Sequence, residues 1–185
     1  MLNKIFGIGL SRTGTTSLTC ALRSLGYKAI HYPPVPRLQK ILSRYHAATD
    51  TPVAVRFAEL DRDYPGSKFI LTVRDVDGWL ASTRKMWARN RKKKGWELDL
   101  RYALYGTAEW DRDKFSDAYL RHYHNVTEYF KGRPDDLLIL DIFKGQGYGE
   151  ICKFLNVPDP GLKFPHKNKT GKIRMRDIFF FHLLG

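Results

Sequence analysis

The chain is expected to fold as a three-layer α/β protein, a central, mainly parallel sheet flanked by helices. Two observations predict this. Short apolar runs at 3–8, 28–32, 68–73 and 137–141 alternate with longer stretches whose apolar residues recur at helical spacing, the order of a parallel sheet covered on both faces. The Lys68–Val73 run is almost continuously apolar, as a strand buried on both sides should be. With 185 residues, 43% hydrophobic and 28% charged, the chain reads as one domain, 1–185, with enough length for a real core.

Taken in order, the first strand runs into Gly9-Leu10-Ser11-Arg12-Thr13-Gly14-Thr15-Thr16-Ser17. A helix follows with Leu18, Ala21, Leu22 and Leu25 on one face and Gly26 as a left-handed cap. Lys28–Tyr32 is a second strand, stopped by Pro33-Pro34. Val35 to Ala48 reads as one amphipathic helix carrying Leu38, Ile41, Leu42 and Tyr45. Asp50-Thr51-Pro52 is a turn, and Val53–Val55 is open between a short strand and the start of a helix through Leu60. Tyr64–Ser67 is a strong turn before the Lys68–Val73 strand. Asp75 then caps a long helix through Trp87. Helices are expected over about 97–108 and 113–131, a strand over Leu137–Asp141, and a short helix over Gly149–Leu155. A basic stretch from Phe164 to Arg176 leads to the apolar Ile178–Leu184, expected to bury part of that surface or pack on a partner.

Strand, glycine-rich turn and helix in succession form the context in which backbone N–H groups cradle a phosphate. The loop departs from the nucleoside triphosphatase pattern G-x-x-x-x-G-K-[ST]. Thr15 stands where that pattern needs Lys, and the cation has moved inside, to Arg12, among the hydroxyls of Thr13, Thr15, Thr16 and Ser17. Such a loop suits a 5′-phosphate carrying a transferring group.

The formal net charge is +13, which favours anionic partners without choosing among them. Cys20 and Cys152 are the only cysteines, so no disulfide framework is expected and a reducing compartment is favoured. The first apolar stretch is too short for a signal peptide, and no run of about 20 apolar residues predicts a spanning helix.

A second anchor lies in Phe69–Ser82. Arg74 ends a buried strand, and Ser82 follows eight residues later, two turns into the next helix. Ligands of open α/β sheets bind at the carboxyl ends of strands, so a guanidinium and a hydroxyl there suit a second phosphate. The glycine loop, this Arg–Ser pair, and the late Lys153–Pro158 with Phe164-Pro165-His166 together resemble the small sulfotransferases that use 3′-phosphoadenosine-5′-phosphosulfate (PAPS).

That resemblance implies a P-loop-like sulfotransferase architecture and sulfuryl transfer from PAPS to a hydroxyl or amine without a metal. It implies that Ser11, Arg12, Thr13, Gly14, Thr15, Thr16 and Ser17 shape the loop and hold the 5′-phosphate, with Arg12 also stabilising charge on the leaving oxygen. Arg74 and Ser82 would hold the 3′-phosphate. Lys167, Lys169, Gly171, Lys172 and Arg174 are candidates to close over it. Family members of the Golgi carry a membrane anchor; its absence here points to a soluble, cytoplasmic form. The acceptor is expected to be a small molecule or glycan, an anionic one favoured by the positive field, with no nucleic acid as partner.

Two positions compete to take the acceptor's proton. Asp50 precedes the Arg74 strand at about the distance where cytosolic sulfotransferases carry a catalytic His in His-x-Pro. His31, ending the second strand, occupies about the place where other branches carry a Glu. Asp50 is preferred, with His31 second; His166 reads as structural or donor-side. The run Arg89–Lys94 is a solvated helix end or a clamp for an anionic acceptor. Aromatics between Trp96 and Phe130 are core by default, some lining an acceptor pocket. One rival reading is a P-loop kinase or nucleotidase. It lacks the Lys, and no acid is evident at a strand end beside the loop; Asp141, closing a strand, keeps it alive. The other rival is a basic, non-enzymatic nucleic-acid or polyanion binder, permitted by the aromatics interleaved with Lys and Arg near 87–105.

Overall fold

A computed structural model describes residues 3–89 and 93–166. Among the described residues, five strands form a single all-parallel sheet: β1 (Ile5–Gly7), β2 (Ala29–His31), β3 (Ala47–Thr49), β4 (Lys68–Thr72) and β5 (Leu137–Leu140), in spatial order β2-β3-β1-β4-β5. The helices are α1 (Thr15–Ser24), α2 (Leu38–Leu42), α3 (Thr51–Ala54), α4 (Phe57–Asp63), α5 (Val76–Arg89), α6 (Trp96–Tyr105), α7 (Arg112–Tyr129) and α8 (Tyr148–Leu155).

The strands sort their side chains with period two into separate cores. Ile5, Ala47, Ile70 and Leu140 join Leu18, Leu22, Ile151 and Cys152 of α1 and α8 on one face. Phe6, Ala48, Phe69 and Leu71 join Trp79, Leu80, Phe115 and Val126 of α5 and α7 on the other. Both faces being covered, the sheet is the middle of three layers. From β1 the chain crosses to β2 on one side, while β4 lies on the other. The reversal opens a crevice at the carboxyl ends of β1 and β4, where ligands of such sheets bind.

One expectation fails. The single helix over Val35–Ala48 is instead a 3-10 turn (Val35–Arg37), the short α2, and a strand, β3, in the interior of the sheet. Ala47, Ala48 and Thr49 carry little β signal, but all three are fully buried. Small side chains are what the site demands. A Cβ on Gly7 would lie 2.7 Å from Thr49 Cγ2, and Thr19 of α1 approaches so closely that its hydroxyl meets that of Thr49 at 2.6 Å. The open choice at Val53–Val55 resolves as a helix: Asp50 caps α3 by accepting from the Thr51 amide. Gly26 is left-handed, with φ of 86°. The apolar segment Ile178–Leu184 lies outside the described residues. No helix of the described residues is long and apolar enough to cross a membrane.

Candidate active site

The loop between β1 and α1 is held by close contacts that leave no room for larger residues. A Cβ on Gly9 would run into Thr72 Oγ1 and lie 2.6 Å from the Thr72 carbonyl. Thr13, fully buried, donates to the Leu10 carbonyl at 2.7 Å and shares a 2.6 Å hydrogen bond with Thr72. It therefore ties the loop to the end of β4 and does not line the cleft. Gly14 takes the left-handed conformation, with φ of 102° and ψ of 13°, and starts α1 with no acidic residue in its first turn. The first intrahelical acceptor is Gly14 itself, for Leu18 N–H. The N-terminus of α1, at Thr15, Thr16 and Ser17, brings the positive end of the helix dipole to the cleft.

Asp50, at the carboxyl end of β3, is 3% exposed and engaged at both oxygens. Oδ1 accepts from Ser11 Oγ at 2.5 Å and from the Thr51 amide at 2.6 Å. Oδ2 accepts from Thr15 Oγ1 at 2.7 Å and lies 2.6 Å from His31 Nε2. Burial alone would push this carboxyl up; the adjacent His31, Ser11 and the Thr51 amide outweigh it and hold it well below the usual carboxylate range. His31, at the end of β2, keeps 29% of its side chain exposed and opens to the cleft. Register puts the two strand ends together: β2 and β3 pair with His31 opposite Thr49.

Arg12, with φ of 78°, donates through Nε to Ser82 Oγ at 2.9 Å. Its proton affinity is lowered, first by burial and then by the charges of Arg74 and Arg89, with Asp50 opposing. The region is an under-compensated positive field. Arg74 follows β4, and its backbone is gripped from both sides by Tyr119 of α7. The phenol donates to the Arg74 carbonyl at 2.7 Å and accepts from its amide at 3.0 Å. Phe143 lies 4.3 Å from the guanidinium carbon. Arg74 Nε is buried with no hydrogen-bond partner, and the nearest carboxylate, Asp75, is 3.7 Å away and mostly exposed. A buried charged donor left unmatched needs an acceptor from elsewhere.

These groups line one cleft of about 890 Å³, with Ser11, Arg12, Gly14 to Ser17, His31, Asp50, Arg74, Ser82 and His166 on its walls. A family model described as "Sulfotransferase domain" matches residues 4–37 and 33–173. The chain belongs to the sulfotransferase domain family. It is also similar to a curated protein of Aspergillus versicolor, "Ava biosynthesis cluster protein M", at 26% identity over 88% of this chain and 80% of that protein.

The sulfotransferase domain brings together from the sequence-derived candidates every described residue except Thr13. Lys167, Lys169, Gly171, Lys172 and Arg174 lie outside the described residues. Asp50 corrects one expectation, since it is an acid at a strand end beside the loop. Its oxygens, however, are already taken by four neighbours. Asp141, the acid that kept the kinase reading alive, caps a 3-10 turn by accepting from the Phe143 and Lys144 amides at 3.0 and 3.2 Å. Among the described residues no cluster of three or more His, Cys, Asp or Glu could hold a metal ion. Sequence reasoning missed Tyr119, Phe143 and Trp79, whose indole N–H donates to the Ser11 carbonyl at 2.9 Å. For Tyr119 and Trp79 only the aromatic type hinted at a buried polar tip seeking a partner.

Proposed function

We propose that this sulfotransferase domain moves the sulfuryl group of PAPS to a hydroxyl or amine of a small-molecule acceptor. The amides of Thr15, Thr16 and Ser17, with Arg12, meet the 5′-phosphosulfate, and Arg74 with Ser82 meets the 3′-phosphate. The unmatched Nε of Arg74, in the same cleft as the loop, is the observation that carries this reading. Two anion pockets sharing one cleft suit a nucleotide phosphorylated at both 3′ and 5′ positions.

In the reaction the acceptor oxygen or nitrogen bonds to sulfur as the bond from sulfur to the bridging 5′-phosphate oxygen breaks. Negative charge builds on adenosine 3′,5′-bisphosphate, and guanidinium and amide donors stabilise it. The acceptor's proton goes to His31. Its Nε2 faces Asp50 at 2.6 Å, so that nitrogen carries the hydrogen and Nδ1 is the basic one. Asp50 orients the ring and stabilises the imidazolium. A carboxylate with its oxygens occupied and its proton affinity depressed is itself a poor base. This assigns proton removal to His31 and positioning to Asp50. Charge neutralisation by guanidinium fits Thr15 in place of the triphosphatase Lys.

A small-molecule acceptor is in keeping with the biosynthetic name of the Aspergillus relative. The free thiols of Cys20 and Cys152 are in keeping with a cytoplasmic setting. The test is release of adenosine 3′,5′-bisphosphate from PAPS in the presence of a panel of phenols, alcohols and amines. Acceptor-dependent release supports the proposal. Hydrolysis of ATP with Mg²⁺ and no release from PAPS would favour the kinase reading instead.

A further inference from the structure

Part of the cleft's lining comes from residues outside the phosphate-facing set. These walls are Tyr32, Met86, Trp87, Leu100, Arg101 and Tyr105, an aromatic and aliphatic lining of the kind that takes flat apolar ligands. One charge on these walls is Arg101. Glu97 lies one turn before Arg101 on α6, the spacing and order that favour an ion pair. Instead Glu97 meets Lys93 at 2.6 Å. Among the described residues Arg101 has no carboxylate within ion-pair distance.

The guanidinium of Arg101 is nevertheless held in place. Its carbon lies 4.3 Å from the centre of the Trp87 ring. One N–H reaches the Ala108 carbonyl at 3.3 Å, and the Trp87 indole N–H donates to that same carbonyl at 2.9 Å. The indole and the guanidinium are thus pinned against each other. A stacked, pre-oriented guanidinium with donors to spare is suited to bidentate binding of a carboxylate.

We infer that the acceptor is a planar aromatic alcohol bearing a carboxylate, with Arg101 on the carboxylate, the Trp87, Tyr32 and Tyr105 rings around the aryl group, and the hydroxyl directed to His31. This rests on the sulfotransferase reading above and names its acceptor class. A phenol also suits an imidazole base, because its pKa of about 10 is far closer to that of histidine than an alkyl alcohol's.

The experiment is calorimetric titration of the full chain, saturated with adenosine 3′,5′-bisphosphate, with 4-hydroxyphenylacetate and with its neutral amide. The acid is expected to bind at least about tenfold more tightly than the amide. Arg101→Gln should abolish that preference while leaving bisphosphate binding unchanged. Arg101→Lys, which keeps the charge but not the fork, should retain only part of it. Equal affinities for acid and amide, a preference that survives Arg101→Gln, or binding of neither probe would overturn the inference. A chain that binds no bisphosphate would instead sink the sulfotransferase reading, and the same titrations without the nucleotide would still decide the role of Arg101.

Discussion

Arg12 Nε donates to Ser82 Oγ at 2.9 Å, joining residues 70 positions apart. One belongs to the glycine loop, the other to the helix that follows Arg74. This hydrogen bond joins the two proposed anion pockets, so the Ser82 hydroxyl orients the loop cation before a ligand arrives. Ser82→Ala is expected to lower affinity for adenosine 3′,5′-bisphosphate by about three- to tenfold, since it removes one hydrogen bond and an orienting contact. Fluorescence or calorimetric titration checks this. Unchanged affinity would mean that Ser82 serves only the packing of α5.

Removing the imidazole should strike turnover and spare the donor. For His31→Ala, kcat is expected to fall by about 10²- to 10⁴-fold with the dissociation constant for the bisphosphate within about twofold of wild type. Asp50→Asn should also lower kcat, because the imidazole loses the carboxylate 2.6 Å from Nε2 that orients it. An unchanged kcat in Asp50→Asn would remove Asp50 from the proton-transfer account.

Two buried groups make stability depend on acid in separate windows. His122 is buried on α7, and its Nε2 lies 2.8 Å from the Ile8 carbonyl. Burial lowers its proton affinity. It is neutral in the fold, whereas the unfolded chain takes up a proton near pH 6.5, so its contribution is full above that pH and is lost as pH falls. His122→Gln should flatten the melting-temperature slope between about pH 7 and pH 5.

Asp50 acts lower on the scale. Its depressed proton affinity makes its stabilisation complete above the ordinary carboxylate value of about 4 and progressively lost below it. The stability gap between wild type and Asp50→Asn should therefore be widest near neutrality and narrow progressively as pH falls below about 4. A gap independent of pH would contradict the charged state assigned to Asp50.

Gly9 tests the loop's backbone. An added methyl would collide with Thr72 Oγ1 and press on Thr13 Oγ1 at 2.7 Å. Gly9→Ala is expected to cost about 1–3 kcal/mol as overpacking and to weaken nucleotide binding by displacing the loop. Thermal denaturation with and without the bisphosphate separates the two effects.

The loop and the Arg74–Ser82 pair were legible because each is written in consecutive residues: glycines at a strand-to-helix turn, and an arginine ending an apolar run. The strand β3 was not. Ala47 and Ala48 become a strand because α1 and Gly7 approach too closely for anything larger, which is a tertiary fact. Missing β3 hid the geometry of the base as well. Asp50 meets His31 only because β2 and β3 are neighbours in register. Left as a turn residue, Asp50 looks like a free carboxylate; at the end of a buried strand it is a fully engaged one. Tyr119 was unreadable for a related reason, since it reaches Arg74 across 45 residues from a helix whose apolar face looked sufficient by itself.

The central claim is that one nucleotide spans both anion pockets, and the most direct measurement compares two ligands that differ by one phosphate. Calorimetric titration of wild type and Arg74→Ala with adenosine 3′,5′-bisphosphate and adenosine 5′-monophosphate isolates the second pocket. The account predicts that Arg74→Ala weakens the bisphosphate by about 10- to 100-fold and the monophosphate by less than about threefold. Equal losses for the two ligands, or none for either, would contradict it.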